Sequence, residues 1–147
     1  MKNTVEIKIA KSDADIRRCY PVMAELRPHL ASDEFLVQVK KQQEAGFRLV
    51  YLSNGEISAV AGIRIGDWLA GGKYLEIEDL VTSENARAKG YGGRLFDWIA
   101  DLARAEGCEH IRLVSKVTRH NAHRFYLNKR MNIEAYYFSM ELNSFVS

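Results

Sequence analysis

Little in this chain marks it for an oxidising, membrane-bound or nucleic-acid setting. Its 147 residues hold two cysteines, Cys19 and Cys108. Each sits beside an apolar segment without a histidine or cysteine at ligand spacing, which excludes a zinc site and a disulfide framework. Buried free thiols are expected instead, as in a reducing cytosol. No apolar run reaches the roughly 18 residues of a membrane span, and the first residues, MKNTVEIKIAKSD, lack a signal peptide's apolar core. The net charge is only +2, with Lys and Arg scattered, so no basic stripe offers itself to nucleic acid. A cytoplasmic protein is expected. His29, His110, His120 and His123 show no metal-ligand spacing among themselves.

Two phosphate-binding signatures are also missing. A P-loop needs Gly-Lys-Ser/Thr, whereas Lys89 here precedes Gly90. A dinucleotide fingerprint needs a third glycine where Leu95 stands. What is present is Arg87-Ala88-Lys89-Gly90-Tyr91-Gly92-Gly93-Arg94, after an apolar strand and before an amphipathic helix. The helix stripe comprises Leu95, Trp98, Ile99, Leu102 and Ala103, spaced by three and four. The first N–H groups of a helix lack intrahelical acceptors, glycines let a ligand approach them closely, and the dipole favours negative charge. Arg87, Lys89 and Arg94 add full positive charges. The pattern predicts a phosphate or pyrophosphate guest.

The rest of the chain reads as alternating elements. Val5–Ala10 alternates as a strand. Ser12 caps a helix carrying Ile16, Cys19, Tyr20, Met23 and Leu26, which Pro21 should kink or break near Arg18 to Tyr20. Ser32 caps a second helix, Asp33–Ala45, stopped by Gly46. Phe47–Ser53 and Glu56–Ile65 form a hairpin about Asn54-Gly55. Gly66–Lys73 reads as a loop and Tyr74–Thr82 as the next strand. After the long helix, which stops at Gly107, come strand Ile111–Val117, a short helix Ala122–Arg130 capped by Asn121, and a last strand Ile133–Leu142. Strand, helix, strand implies a right-handed parallel crossover. Repeats, low-complexity tracts and linkers are absent, and the length predicts one domain, residues 1–147.

Strand, Arg-x-x-Gly-x-Gly loop and the downstream Asn121-Ala122-His123-Arg124-Phe125-Tyr126 together resemble the GNAT superfamily of N-acetyltransferases. The resemblance covers the last half of the chain well and the first half loosely. It implies an α/β (α+β) fold: one mixed, mostly antiparallel sheet of about six to seven strands with about four helices. It implies acetyl-CoA as cosubstrate, no metal, and a primary amine as acceptor, favoured as a cation by the acidic strand. That acceptor could be a polyamine, an amino acid, an antibiotic, or a protein N-terminus or lysine. Neither nucleic acid nor membrane is expected as a partner, and the protein would be a monomer or homodimer. A non-catalytic acyl-CoA-binding regulatory module is the alternative; it would need the loop but neither an acid nor a base.

By the same resemblance, the cofactor contacts are the backbone of Leu80, Val81 and Thr82, the loop Arg87, Ala88, Lys89, Gly90, Tyr91, Gly92, Gly93 and Arg94, and Asn121. Arg27, His29 and Phe35 would border the acceptor. Tyr126 would be the general acid, a phenol whose pKa of about 10 matches a thiolate's basicity. The base falls among the carboxylates of Tyr74–Thr82: Asp79 and Glu78, acting through water, with Glu76 behind. In a regular strand Glu76 and Glu78 share one face, and Leu75, Ile77 and Asp79 the other. The family's strand commonly bulges, and a bulge near Asp79 would turn it into the cleft. Like charges so close should raise at least one pKa. Arg130-Met131 replaces the family's usual Gly-Phe, and Thr82 its usual aliphatic residue. With no cysteine in the expected cleft, direct attack in a ternary complex is expected over a ping-pong route.

Overall fold

A computed structural model describes residues 4–143. The elements are β1 (Glu6–Ile9), α1 (Asp13–Leu26), α2 (Ser32–Glu44), β2 (Arg48–Ser53), β3 (Ile57–Trp68), β4 (Gly72–Thr82), a 3-10 turn (Glu84–Ala86), α3 (Tyr91–Ala105), β5 (His110–Leu113) and α4 (His120–Asn128). The chain falls into two compact units that divide between Leu113 and Val114.

The first unit is built on one open sheet in the order β1-β2-β3-β4-β5. Its first three pairings are antiparallel, and β4 with β5 is parallel. Alternation assigns its two faces. Leu49, Tyr51 and Val60 face α1 and α2, packing with Ile16, Cys19, Met23, Phe35 and Val39. The intervening residues Val50, Leu52, Ala61 and Ile63 are buried on the other face, where α3 lays Leu95, Phe96, Ile99 and Ala103.

Several expectations need correction. The sheet holds five strands among the described residues, not six or seven. Ile133–Leu142 forms no strand, although its alternation is strand-like: from Asn132 to Asn143 the residues are exposed. Period-2 alternation yields a strand only where a neighbour supplies the ladder. Pro21 does not break α1, which runs unbroken through it. The proline lies on the exposed face, where water can serve the Arg17 carbonyl, while Ile16, Cys19, Val22 and Met23 hold the other face in the core. Most of the expected loop Gly66–Lys73 is hairpin strand, with only residues 69–71 between β3 and β4. Ala31, not Ser32, is the N-cap of α2. β5 ends at Leu113 instead of Val117.

Candidate active site

The pairing of β3 with β4 slips by one residue in the middle of the acidic stretch. Gly62 pairs with Asp79 and Ile63 with Ile77, so Glu78 has no partner opposite. Successive residues of β3 face opposite ways, so Asp79 lies on the face opposite Ile77. Ile77 is buried on the α3 side. Asp79 therefore joins Glu78 on the side of α1 and α2, and the regular-strand assignment is overturned by the bulge.

That side holds a cavity of about 480 Å³ lined by Arg27, His29, Glu34, Phe35, Glu78 and Asp79, among others. Phe35 is core as well as lining, being only 3% exposed. Both carboxylates on the bulge have fixed partners. The Nε of Arg27 donates to Oδ1 of Asp79 at 2.8 Å, and its Nη2 donates to the Glu78 carbonyl at 3.2 Å. The Nε of Arg64 donates to Oε2 of Glu78 at 2.8 Å. Burial pushes the Asp79 carboxyl above its usual range, Arg27 opposes that push, and Glu78 adds to it. Glu76 is taken up elsewhere: it accepts from Nε of Arg112 at 2.7 Å. The Arg112 guanidinium lies against the rings of Tyr74 and Trp68, 3.6 and 4.5 Å from their centroids.

Beyond the bulge, β4 continues to Thr82. On one edge Leu80, Val81 and Thr82 pair with Ala61, Val60 and Ala59. On the other edge β5 pairs only with Tyr74 to Ile77, so the backbone of residues 80–82 is outside that ladder. The chain then turns through Glu84–Ala86 into the basic loop. Glu25 of α1 anchors this turn, accepting from the Glu84 N–H at 2.9 Å and lying 3.5 Å from Nη2 of Arg87.

Ala88 has φ +67°, a left-handed conformation that side chains rarely adopt. Gly90 (φ +79°) is the N-cap of α3 and supplies no side-chain cap bond. A glycine tolerates that φ and leaves the first-turn N–H groups without the oxygen that Ser or Asp would offer. No acidic residue occupies the first turn. Arg87, Ala88, Lys89, Gly90 and Arg94 are exposed, and Tyr91, Gly92 and Gly93 are half-buried. The Tyr91 hydroxyl accepts from Nδ2 of Asn54 at 2.8 Å. The donor set suits a phosphate-bearing ligand.

The second unit carries Asn121 and Tyr126 on α4. The N-cap is Arg119, so Asn121 is not the cap but an exposed residue inside the helix. Tyr126 is half-buried, and burial raises its phenol pKa against the opposing charge and hydrogen bond of Arg119. The helix closes with Arg130 at φ +68°. The N–H of Met131 bonds the Tyr126 carbonyl at 3.1 Å, and that of Arg130 the Leu127 carbonyl at 3.0 Å. This is the closure usually given to glycine, here made by the arginine that replaces it.

Three contributors leave little or no trace in the sequence. Arg64 and Glu25 act through partners far along the chain, which no local pattern reveals. Gly62 does leave a signal: an isolated glycine within an apolar strand marks a bulge or a close approach. A Cβ on Gly62 would lie 2.6 Å from the Phe47 ring and 2.7 Å from Oδ2 of Asp79. Among the histidines, Nδ1 of His110 lies 3.1 Å from the Gly71 carbonyl and Nε2 of His123 lies 2.8 Å from the Lys116 carbonyl. Among the described residues no group of three or more His, Cys, Asp or Glu is placed to hold a metal, and no helix is long and apolar enough to cross a membrane.

Comparison with known proteins bears on this geometry. The family model for the acetyltransferase (GNAT) family matches residues 13–131. The uncharacterized N-acetyltransferase YhdJ of Bacillus subtilis is 34% identical over 137 residues, covering 91% of this chain and 96% of that protein. The aminoalkylphosphonate N-acetyltransferase of Salmonella typhimurium is 32% identical over 79 residues, covering 53% of this chain and 51% of that one. Among solved structures, a transcriptional regulator from Bacillus halodurans superposes with a TM-score of 0.83 at 22% identity, over 95% of this chain and 100% of that one. At that identity the likeness concerns the fold.

Proposed function

Because this chain belongs to the GNAT family of acetyltransferases, we propose that it moves an acetyl group from acetyl-CoA to a primary amine by direct attack in a ternary complex. One observation carries the acceptor side of this reading: the bulge sets Glu78 and Asp79 side by side on the wall of the cavity between β4 and the two N-terminal helices. The family match, residues 13–131, spans the boundary between the two units, which supports a single domain over residues 1–147.

Acetyl-CoA, when bound, supplies a thioester acyl group. The first-turn N–H groups of α3 with Arg87, Lys89 and Arg94 would hold its phosphates, with Ala88, Gly90, Tyr91, Gly92 and Gly93 shaping the loop. The backbone of Leu80, Val81 and Thr82, outside the β5 ladder, is available to its amide-bearing arm, and Asn121 is a further contact. An amine attacks only when neutral. Asp79, its basicity raised by burial, accepts that proton at Oδ2 through water, with Glu78 as its neighbour and Glu76 in the background. Tyr126 holds a proton on its hydroxyl for the departing thiolate; a phenol is protonated near neutral pH, and burial raises its pKa further. Direct attack is supported by the cysteines: the Cys19 thiol is fully buried and pushed up to about 12, and neither cysteine lines the cavity.

The lining holds Glu34, Glu78 and Asp79 against Arg27, with Arg64 on the Glu78 carboxylate, a balance of three carboxylates to two guanidinium groups that favours a cationic acceptor. Thermal unfolding with acetyl-CoA, NAD and ATP side by side tests the donor. A rise in melting temperature with acetyl-CoA alone is expected; a rise with NAD or ATP and none with acetyl-CoA overturns the loop assignment. CoA-thiol release with a polyamine, amino acids, an N-terminal peptide and an aminoalkylphosphonate then sorts the acceptors.

A further inference from the structure

The guanidinium of Arg27 ends on two consecutive residues of the bulge. Arg27 is the C-cap of α1, and its own N–H bonds the Met23 carbonyl at 2.8 Å. Its backbone is thereby fixed, and the side chain reaches across the cavity wall to β4. Nε meets the Asp79 carboxylate at 2.8 Å, and Nη2 meets the carbonyl of Glu78 at 3.2 Å. Glu78 is the residue the bulge leaves unpaired on β3. Its carbonyl therefore needs a donor from outside that ladder, and Arg27 supplies one.

The planar fork of an arginine allows both bonds at once, which a lysine's single ammonium does less well. The side chain of Asp79 is 15% exposed and that of Arg27 38%, so their interaction is more shielded from water than a surface pair. On the opposite side the carboxylate lies over Gly62, where a Cβ would stand 2.7 Å from Oδ2. Asp79 is thus held between an arginine and a glycine.

We propose that Arg27 is a positioning residue for acetyl transfer: it fixes the bulge at the Glu78 carbonyl and holds the Asp79 carboxylate ionised and aimed into the acceptor cavity. The inference rests on the reading of Asp79 as the base. It differs from a substrate-touching role for Arg27, because both bonds go to the protein's own bulge. The charged and titratable groups around Asp79 are Arg27 from α1, Glu78 beside it on β4 with Arg64 of β3 on its carboxylate, and His29 and Glu34 on the same cavity. Of these Arg27 alone is paired with Asp79, so its removal should dominate the response.

The test is a 13C titration of the Asp79 carboxyl carbon, assigned with Asp79→Asn, in the wild type, Arg27→Gln and Arg27→Lys. It is combined with pH profiles of kcat/KM for the fastest acceptor of the amine panel. In Arg27→Gln the Asp79 midpoint should rise by about one pH unit or more. The acid limb of kcat/KM should move up with it, and kcat should fall roughly tenfold or more, while the acetyl-CoA thermal shift stays. Arg27→Lys should return the midpoint toward wild type but leave kcat low, since charge is kept and the two-bond clamp is lost. An arginine that served stability alone would lower the melting temperature and move the Asp79 midpoint, but leave kcat and the acid limb of kcat/KM as in wild type.

An unchanged Asp79 midpoint in Arg27→Gln, or a kcat within twofold of wild type, overturns the proposal. Should Arg27→Gln fail to fold, a wild-type kcat in Arg27→Lys overturns it equally. Full activity in Asp79→Asn removes the base assignment and this inference with it. Loss in Asp79→Asn with no effect in either Arg27 variant removes this inference alone.

Discussion

At the scale of single residues, the proposed base and the proposed acid each show a contest between burial and a charged neighbour over one proton. For Asp79 burial outweighs Arg27 and the carboxyl is pushed up, toward the range a base needs near neutral pH. For Tyr126 burial outweighs Arg119 in the same way, and the phenol is protonated near neutral pH, as a donor to a thiolate must be. Tyr126→Phe deletes that proton and little volume. Its kcat should fall about 10² to 10⁴-fold while acetyl-CoA still raises the melting temperature as in wild type. Steady-state kinetics beside thermal unfolding would measure both, and unimpaired turnover would remove Tyr126 from the mechanism. Cys19 gives the contrast: burial pushes its thiol up to about 12 with no acidic role proposed for it.

At the scale of elements, the proposed acceptor side comes from irregularity within β4. A regular strand would bury Asp79 with Leu75 and Ile77 against α3; the single extra residue at Glu78 sends it to the other face. Gly62 makes room for it, since no larger residue fits between the Phe47 ring and the Asp79 carboxylate. Gly62→Ala must displace both. A cost of roughly 1–3 kcal/mol is expected from such overpacking, read by urea unfolding, with a drop in kcat larger than that of an equally destabilising change elsewhere in β3. Equal drops would separate the bulge from catalysis.

At the scale of the whole molecule, the ion pairs that tie elements together set the pH range of stability. Arg48 of β2 grips Glu106 at the end of α3 through two bonds, 2.5 and 3.0 Å, and its hydrogen bond holds the Glu106 carboxyl below the usual range. A depressed folded pKa gives stability that is complete above the unfolded glutamate value, about 4.3, and is lost as pH falls through the folded one. Asp79 has the opposite sign: its folded pKa is raised, so its contribution fades as pH rises from its unfolded value toward the folded one. Glu106→Gln should lower stability at neutral pH by about 0.5–1 kcal/mol, the range of a partly exposed pair, and flatten the acid limb. Melting temperatures of wild type and variant converging below about pH 4 would bear this out; a constant gap at every pH would not.

The amino-acid order by itself determined the elements whose signals are local. Helical spacing marked α3, Asn54-Gly55 marked the hairpin, and Gly90 ahead of an amphipathic helix marked the loop that opens α3, because each depends on neighbours within a few residues. It also narrowed the carboxylates to one strand. Tertiary structure decided what distance along the chain conceals. The bulge at Glu78 exists through register with β3, and Arg27 meets Asp79 from 52 residues away. Arg112 claims Glu76, and the alternating residues Ile133–Leu142 remain outside the five-stranded sheet. Periodicity states which faces a segment could bury, but pairing partners and buried charge are fixed only when distant segments meet, since ladder bonds and desolvation both require the second surface.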